Sequence, residues 1–130
     1  MLQVGTFPGA AAGTGSFDLG VFQTAPNDDC SNPTVISAQG NFAFNNSVAT
    51  TGAEGQSEYL CYLFGTSAVD RDVWFSWTPD ATGVAQMTTC NLTSVDTKLA
   101  AYPGGACPTN GSSIACNEDS CAFQSTILFA

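Results

Sequence analysis

Six cysteines constrain this chain of 130 residues more than any other feature. Their number is even, the chain has no histidine, and no two cysteines have the CxxC spacing of a zinc knuckle. We therefore predict three disulfides rather than a metal site, and disulfides persist in oxidising compartments. Six cysteines permit many pairings, and spacing does not choose among them. The pairing that we expect is Cys30–Cys61, Cys90–Cys116 and Cys107–Cys121.

Charge is scarce and mostly negative. Only 10% of the residues are charged, and the 11 acidic side chains face two basic ones, Arg71 and Lys98, for a net charge of −9. Nucleic acids and anionic membranes both require clusters of Lys and Arg, so we exclude both as partners. No apolar run is long enough for membrane insertion. With 44% apolar residues, the chain is too hydrophobic for a disordered tail.

Strand patterns recur along the chain, and helical periodicity is nearly absent. The clearest alternation of apolar and polar residues occurs at residues 15–22, 72–78, 96–102 and 124–129. Shorter candidates are residues 1–4, 34–37, 41–45, 84–90 and 113–116. Gly, Pro, Asn and Asp separate these runs as turn formers do. The pattern predicts an all-β sandwich or jelly roll in one domain.

The side chains that catalysis usually needs are missing. Ser-His-Asp and Cys-His sites both require a histidine, and cysteines in disulfides are not nucleophiles. A pair of carboxylates remains conceivable, but acidic residues in turns rich in Asn and Asp are usually turn formers. We therefore predict no catalytic residues and no enzymatic activity.

Acidic side chains gather at predicted strand ends, and two interpretations stay open for them. Carboxylate oxygens from several loops suit calcium, although no EF-hand loop occurs. Solvated turn residues that add solubility explain the same pattern. If calcium is bound, it is the one cofactor we expect, with Asp28, Asp72 and Asp119 as its ligands.

Four aromatic residues are candidates for a carbohydrate-binding platform. The alternative is packing beneath a loop or in the core, which fits the tryptophan best. The candidates are Trp74, Tyr102, Tyr59 and Tyr62.

Five short blocks resemble those of bacterial pre-peptidase C-terminal-like domains, in the same order. They are NDDC with NPTVI at 27–36, DVWFSWT at 72–78, TTC at 88–90, DTKLAAY at 96–102 and ACNED at 115–119. The resemblance covers residues 27–129. It implies a jelly-roll-type antiparallel β-sandwich that is not itself catalytic and that accompanies secreted enzymes or recurs in tandem on extracellular proteins.

The chain departs from these domains at its ends. In the domains that it resembles, a strand like residues 125–129 leads into strands like residues 2–5 and 16–22, which close the fold. Here the two closing strands come first. We therefore interpret the chain as circularly permuted, or as cut from a tandem array one hairpin out of phase, and we expect a mature form or a segment of something longer.

This displacement divides the chain into a two-strand segment at 1–22 and the main body of the sandwich at 23–130. A sandwich that lacks two strands leaves backbone groups unpaired along an edge, so the segment must complete its own sandwich or a neighbour's. The side chains that we expect to mediate assembly are Leu2, Val4, Phe17, Leu19 and Val21.

These patterns predict a secreted or cell-surface structural module, the repeating unit of a fibre or tandem array assembled by strand exchange between copies. The alternative is an accessory module of a secreted enzyme that binds carbohydrate or calcium.

Overall fold

Only a small part of the chain forms regular secondary structure. The computed structural model describes all residues, 1–130, and contains one 3-10 helix at Tyr59–Cys61 and no helix with the length and apolarity that crossing a bilayer requires. Its six strands are β1 (Thr34–Ile36), β2 (Phe75–Trp77), β3 (Ala85–Thr88), β4 (Leu99–Ala101), β5 (Ala115–Asn117) and β6 (Thr126–Phe129).

The strands pair into three small sheets of two strands each. β1 runs parallel to β2, with Val35 opposite Ser76. β3 runs antiparallel to β6, and β4 runs antiparallel to β5. The all-β class is therefore confirmed, whereas the continuous sheets of a jelly-roll sandwich are not seen and that part stays a prediction.

Six of the nine strands predicted from alternation form, each at shorter length. The three that do not form are the stretches at residues 1–4, 15–22 and 41–45. A lone extended segment has no ladder hydrogen bonds, because these come from a neighbouring strand. None of the three stretches has such a neighbour in the single chain, so an alternating pattern is not enough to make it a strand.

Alternation along β2 places its two aromatic residues on the same, half-buried face. Phe75 and Trp77 are half-buried, whereas Ser76 between them is exposed. The ring of Trp77 meets the ring of Phe129 edge-on, with centroids 6.3 Å apart. The β1–β2 sheet and the β3–β6 sheet therefore contact each other through an aromatic pair, which is favoured in this geometry.

The interior is more polar than apolar. Of the 13 buried residues, seven are polar or charged, one is Gly55, and only five are apolar: Ala25, Ala49, Cys61, Leu99 and Ile127. Three buried hydroxyls occupy the space that a hydrophobic core would fill. Thr89 and Thr97 share a hydrogen bond of 2.6 Å, and Thr89 Oγ1 accepts the amide of Ser125 at 3.0 Å. Ser125 Oγ lies within donating distance of the Thr97 and Glu118 carbonyls.

Three disulfides form, as predicted, but the predicted pairing is wrong. The observed pairs have Cα–Cα separations between 5.1 and 5.9 Å: Cys30–Cys107, Cys61–Cys116 and Cys90–Cys121. Tertiary structure decides the pairing. Cys61 ends the 3-10 helix, which packs beside β5 and therefore beside Cys116. Cys90 follows β3 and Cys121 precedes β6, so the pairing of these two strands brings them together.

Because so little apolar surface is buried, we expect each disulfide to carry a large share of the stability. Replacing both Cys61 and Cys116 by serine opens a loop of 55 residues. Loop-closure entropy then predicts a loss of about 4 kcal/mol in the free energy of unfolding. Urea unfolding of the two oxidised proteins measures this difference, and disulfide mapping of both is the control. Equal unfolding midpoints would contradict the idea that cross-links replace the core.

Candidate functional site

Residues 1–24, the N-terminal segment, lie outside the folded body. Every residue in the segment is exposed, and none belongs to a strand or helix. Its one hydrogen bond joins the Ala10 amide to the Phe7 carbonyl at 2.9 Å. The segment therefore has no hydrogen bond to the body that would fix its conformation.

The segment carries its apolar side chains in alternation. Phe17, Leu19 and Val21 are 66%, 69% and 92% exposed, and Leu2 and Val4 are exposed as well. Isolated apolar residues are common on protein surfaces, but a group of them that forms one exposed patch marks an interaction site. All five side chains that the sequence predicted for assembly are thus accessible in the single chain.

The segment is also almost without charge. Asp18 is its only charged side chain, although the whole chain has a net charge of −9. Two copies of so acidic a protein repel each other where their acidic side chains approach. The N-terminal segment is therefore a region through which two copies can approach with little repulsion.

The body begins with a set of hydrogen bonds around Asn27 and Asp28. Ala25 is the first buried residue. Asn27 Nδ2 donates to the Trp74 carbonyl at 2.8 Å, and the Trp74 amide donates to the Asn27 carbonyl at 2.9 Å. The Asp28 carboxylate accepts the amide of Thr50 at 2.6 Å and its hydroxyl at 2.7 Å. These contacts fix the point from which the N-terminal segment leaves the body.

Asp72 is a buried carboxylate with one oxygen unpaired. Its Oδ1 accepts the amide of Gly52 at 3.2 Å, whereas its Oδ2 has no hydrogen-bond partner. Burial raises the pKa of Asp72 above its usual value of 3.8, and the negative charge of Asp28 raises it further. The hydrogen bonds to backbone amides oppose the shift without cancelling it.

The three predicted calcium ligands do not share one cluster. Asp28 and Asp72 are close enough to affect each other electrostatically, and Asp28 is already occupied by Thr50. Asp119 is exposed, in the loop between β5 and β6. The structure holds no group of three His, Cys, Asp or Glu side chains that could bind a metal ion. Calcium binding therefore stays a prediction, without a formed site to support it.

The four candidate platform aromatics fall into two pairs. Trp74 and Tyr102 are half-buried and pack together, with ring centroids 5.8 Å apart and planes inclined by 38°. Burial raises the pKa of Tyr102 to about 12, and the charges of Glu58 and Asp72 add to this shift. Tyr59 and Tyr62, in contrast, are exposed. Only this second pair presents rings to a ligand.

Glu58 is a structural residue that the sequence did not reveal. It is fully buried, and its two carboxylate oxygens accept the amides of Gly111 at 3.1 Å and Ser113 at 2.9 Å. It ties the loop before β5 to the start of the 3-10 helix. Its partners lie 53 and 55 positions away, so no local spacing could have predicted them.

Comparisons of the chain with protein-family models, with curated proteins and with solved structures find no match. The resemblance to pre-peptidase C-terminal-like domains therefore stays an expectation. What the chain does has to be inferred from its own surface, and the N-terminal segment is the surface feature that its body leaves unexplained.

The raised pKa of Asp72 gives a prediction about stability and pH. The folded chain holds the Asp72 proton more tightly than the unfolded chain, so the free energy of unfolding falls as the pH rises from 3.8 through the folded-state pKa. At pH 7 the charged carboxylate is therefore destabilising. We expect Asp72→Asn to raise the urea midpoint at pH 7 and to lose that advantage below pH 3.8.

The matched control is Asp119→Asn, which removes the same charge from an exposed position. We expect it to leave the urea midpoint nearly unchanged at both pH values, because surface substitutions have small effects. An Asp72→Asn variant that is less stable than wild type at pH 7 would show that the negative charge itself is needed there, as at a cation site.

Proposed function

We propose that this chain is a non-catalytic structural module of the cell exterior, and that its N-terminal segment adds a strand to the sheet of a neighbouring copy. Repetition of this contact builds a fibre. The observation that carries the proposal is the alternating apolar face of residues 15–22, whose side chains are 66–92% exposed in the single chain.

The donor, residues 15–22, would bury its exposed apolar side chains in such a contact. In an extended conformation, Phe17, Leu19 and Val21 lie on one face of residues 15–22, with Ser16, Asp18 and Gly20 on the other. Burial of side chains of this size stabilises a complex by roughly 1.5–3 kcal/mol each. The gain offsets the entropy lost when the segment becomes ordered.

The body provides edges that can receive a strand. All three sheets have only two strands, so every strand has one backbone edge with no strand beyond it. Such edges pair readily with a strand from another chain, because the added main-chain hydrogen bonds replace those made with water. The small apolar interior supports the same conclusion, since an added strand supplies the apolar side chains that the body lacks.

Strand exchange of this kind joins copies head to tail. The donor surface lies at the N-terminus and the acceptor surface lies on the body, so the contact joins two different surfaces. Contacts of this kind give rings if they close and filaments if they do not. Three disulfides suit an oxidising exterior, where the cross-linked body resists unfolding.

The assembly prediction is tested by changing one face of the donor. We expect Phe17→Ser, Leu19→Ser and Val21→Ser together to abolish assembly, because the donor then has no apolar side chains to bury. The combined variant Asp18→Ser and Gly20→Ser changes the opposite face and should still assemble. Light scattering gives the mass of each protein, and negative-stain microscopy shows whether fibres are present.

Wild type should give particles much heavier than the 13.4 kDa of one chain. A wild-type protein that remains at the mass of one chain under native conditions contradicts the proposed function. Fibres of the Phe17, Leu19 and Val21 variant would show that another surface drives assembly.

A second candidate function is polysaccharide binding through Tyr59 and Tyr62, which are 87% and 64% exposed. Exposed aromatic rings stack on the apolar faces of sugars. If this occurs, Tyr59→Ala with Tyr62→Ala should reduce retention on insoluble polysaccharides at least tenfold. Phe123→Ala removes another exposed ring and is the matched control. Equal retention of all three proteins would exclude a role for these tyrosines.

A further inference from the structure

We propose that the donor segment of one copy pairs with the outer edge of β3 in the next copy. This inference rests on the proposed function and adds the acceptor site. The occupant is residues 15–22 of a second copy, and the acceptor is the side of β3 that faces away from β6.

The register of β3 and β6 shows which backbone groups of β3 are free. The amide of Thr89 donates to the carbonyl of Ser125 at 3.0 Å, one position beyond the end of both strands. Hydrogen-bonded and non-bonded pairs alternate in an antiparallel ladder. Met87 is therefore in a bonded pair, whereas the backbone groups of Gln86 and Thr88 point outward, where no other strand lies.

The outer edge of β6 is less open. The amide of Thr126 lies within hydrogen-bond distance of Asn117 Oδ1 at 3.3 Å and Ser120 Oγ at 3.2 Å. β5 also packs beside β6, whereas β3 packs extensively against β6 alone. The β3 edge is thus the side of this sheet to which a strand can be added along its whole length.

The side chains of β3 also favour its outer edge as the acceptor site. Met87 lies opposite Ile127, so both side chains are on one face of the sheet. Ile127 is buried at 3% exposure, yet Met87 is 41% exposed. This face of the sheet is therefore buried where β6 lies and exposed to solvent where β3 lies. A donor strand beside β3, with Phe17, Leu19 and Val21 on this face, would cover Met87.

The other open edge with an exposed apolar residue fits less well. On β1 that residue is Val35, and alternation places it on the face opposite the half-buried Ile36. A donor at β1 would therefore not bury Val35 and cover the interior at the same time.

Charge favours the β3 edge as well. Residues 81–95, which include β3, contain no charged side chain, and the donor contains only Asp18. Asp18 alternates with Phe17 and Leu19, so it would lie on the outer face, beside Gln86 and Thr88. Two acidic chains can therefore meet here with little repulsion.

A matched pair of proline variants tests the edge. Gln86 and Leu128 lie opposite each other in a non-bonded pair, so neither amide takes part in the β3–β6 ladder. Proline is tolerated at edge positions whose amide faces solvent, and it prevents a new strand from pairing there. Gln86→Pro should stay at the mass of one chain, 13.4 kDa, whereas Leu128→Pro should form fibres like wild type.

A cross-linking measurement keeps the test decisive if Gln86→Pro does not fold. Copies labelled with ¹⁵N carry the photo-reactive p-benzoylphenylalanine in place of Phe17 and are mixed with unlabelled chains before assembly. Mass spectrometry of the digested product should then join the labelled residue 17 to unlabelled residues 84–88. Cross-links to β6 or to β1 would overturn the assignment.

The outcomes separate the two proposals. A monomeric wild type rejects both of them. A wild type that forms fibres and needs Phe17, Leu19 and Val21 supports the proposed function. If Gln86→Pro then also assembles, or if the cross-link lies away from β3, only the β3 edge is rejected.

Discussion

Covalent cross-links and buried hydrogen bonds, rather than apolar burial, hold this chain together. Cys61–Cys116 lies beside Glu58, whose carboxylate fixes two loop amides, and Cys90–Cys121 lies beside the hydroxyl network around Ser125. Each buried polar group needs a partner, because an unpaired one destabilises the fold. These disulfides and hydrogen bonds between specific groups therefore determine the positions of the loops and of the short strands.

A body held in this way can keep a sheet of only two strands. A fold that depends on apolar burial alone would lose stability when a strand is missing, because the exposed face belongs to its core. Here Met87 remains partly in solvent beside buried Ile127, and the disulfide next to them restrains both strands. The proposed assembly uses this property, since the acceptor must be folded before the donor arrives.

The sequence predicted the elements whose partners lie within the chain. Alternation at 72–78 and 124–129 led to β2 and β6, because each has a neighbouring strand. Residues 15–22 alternate just as clearly and form no strand, since ladder bonds need a second backbone that local sequence does not describe. The disulfide pairing and Glu58 were not predictable for a related reason: their partners are brought together by tertiary structure. Of the candidate site, the exposed apolar residues of the N-terminal segment could be read from the sequence, whereas the proposed acceptor edge needed the strand register.

In the proposed assembly, the position of the first cysteine affects how copies associate and dissociate. Cys30–Cys107 closes a covalent ring around most of the body, and the other two disulfides also lie C-terminal to residue 30. The N-terminal segment lies outside every ring, so it is topologically free to withdraw from one partner and enter another without breaking a bond. In the proposed assembly, the rate at which a single peptide strand dissociates therefore limits subunit turnover, and the contacts between disulfide-linked bodies stay reversible even in an oxidising environment.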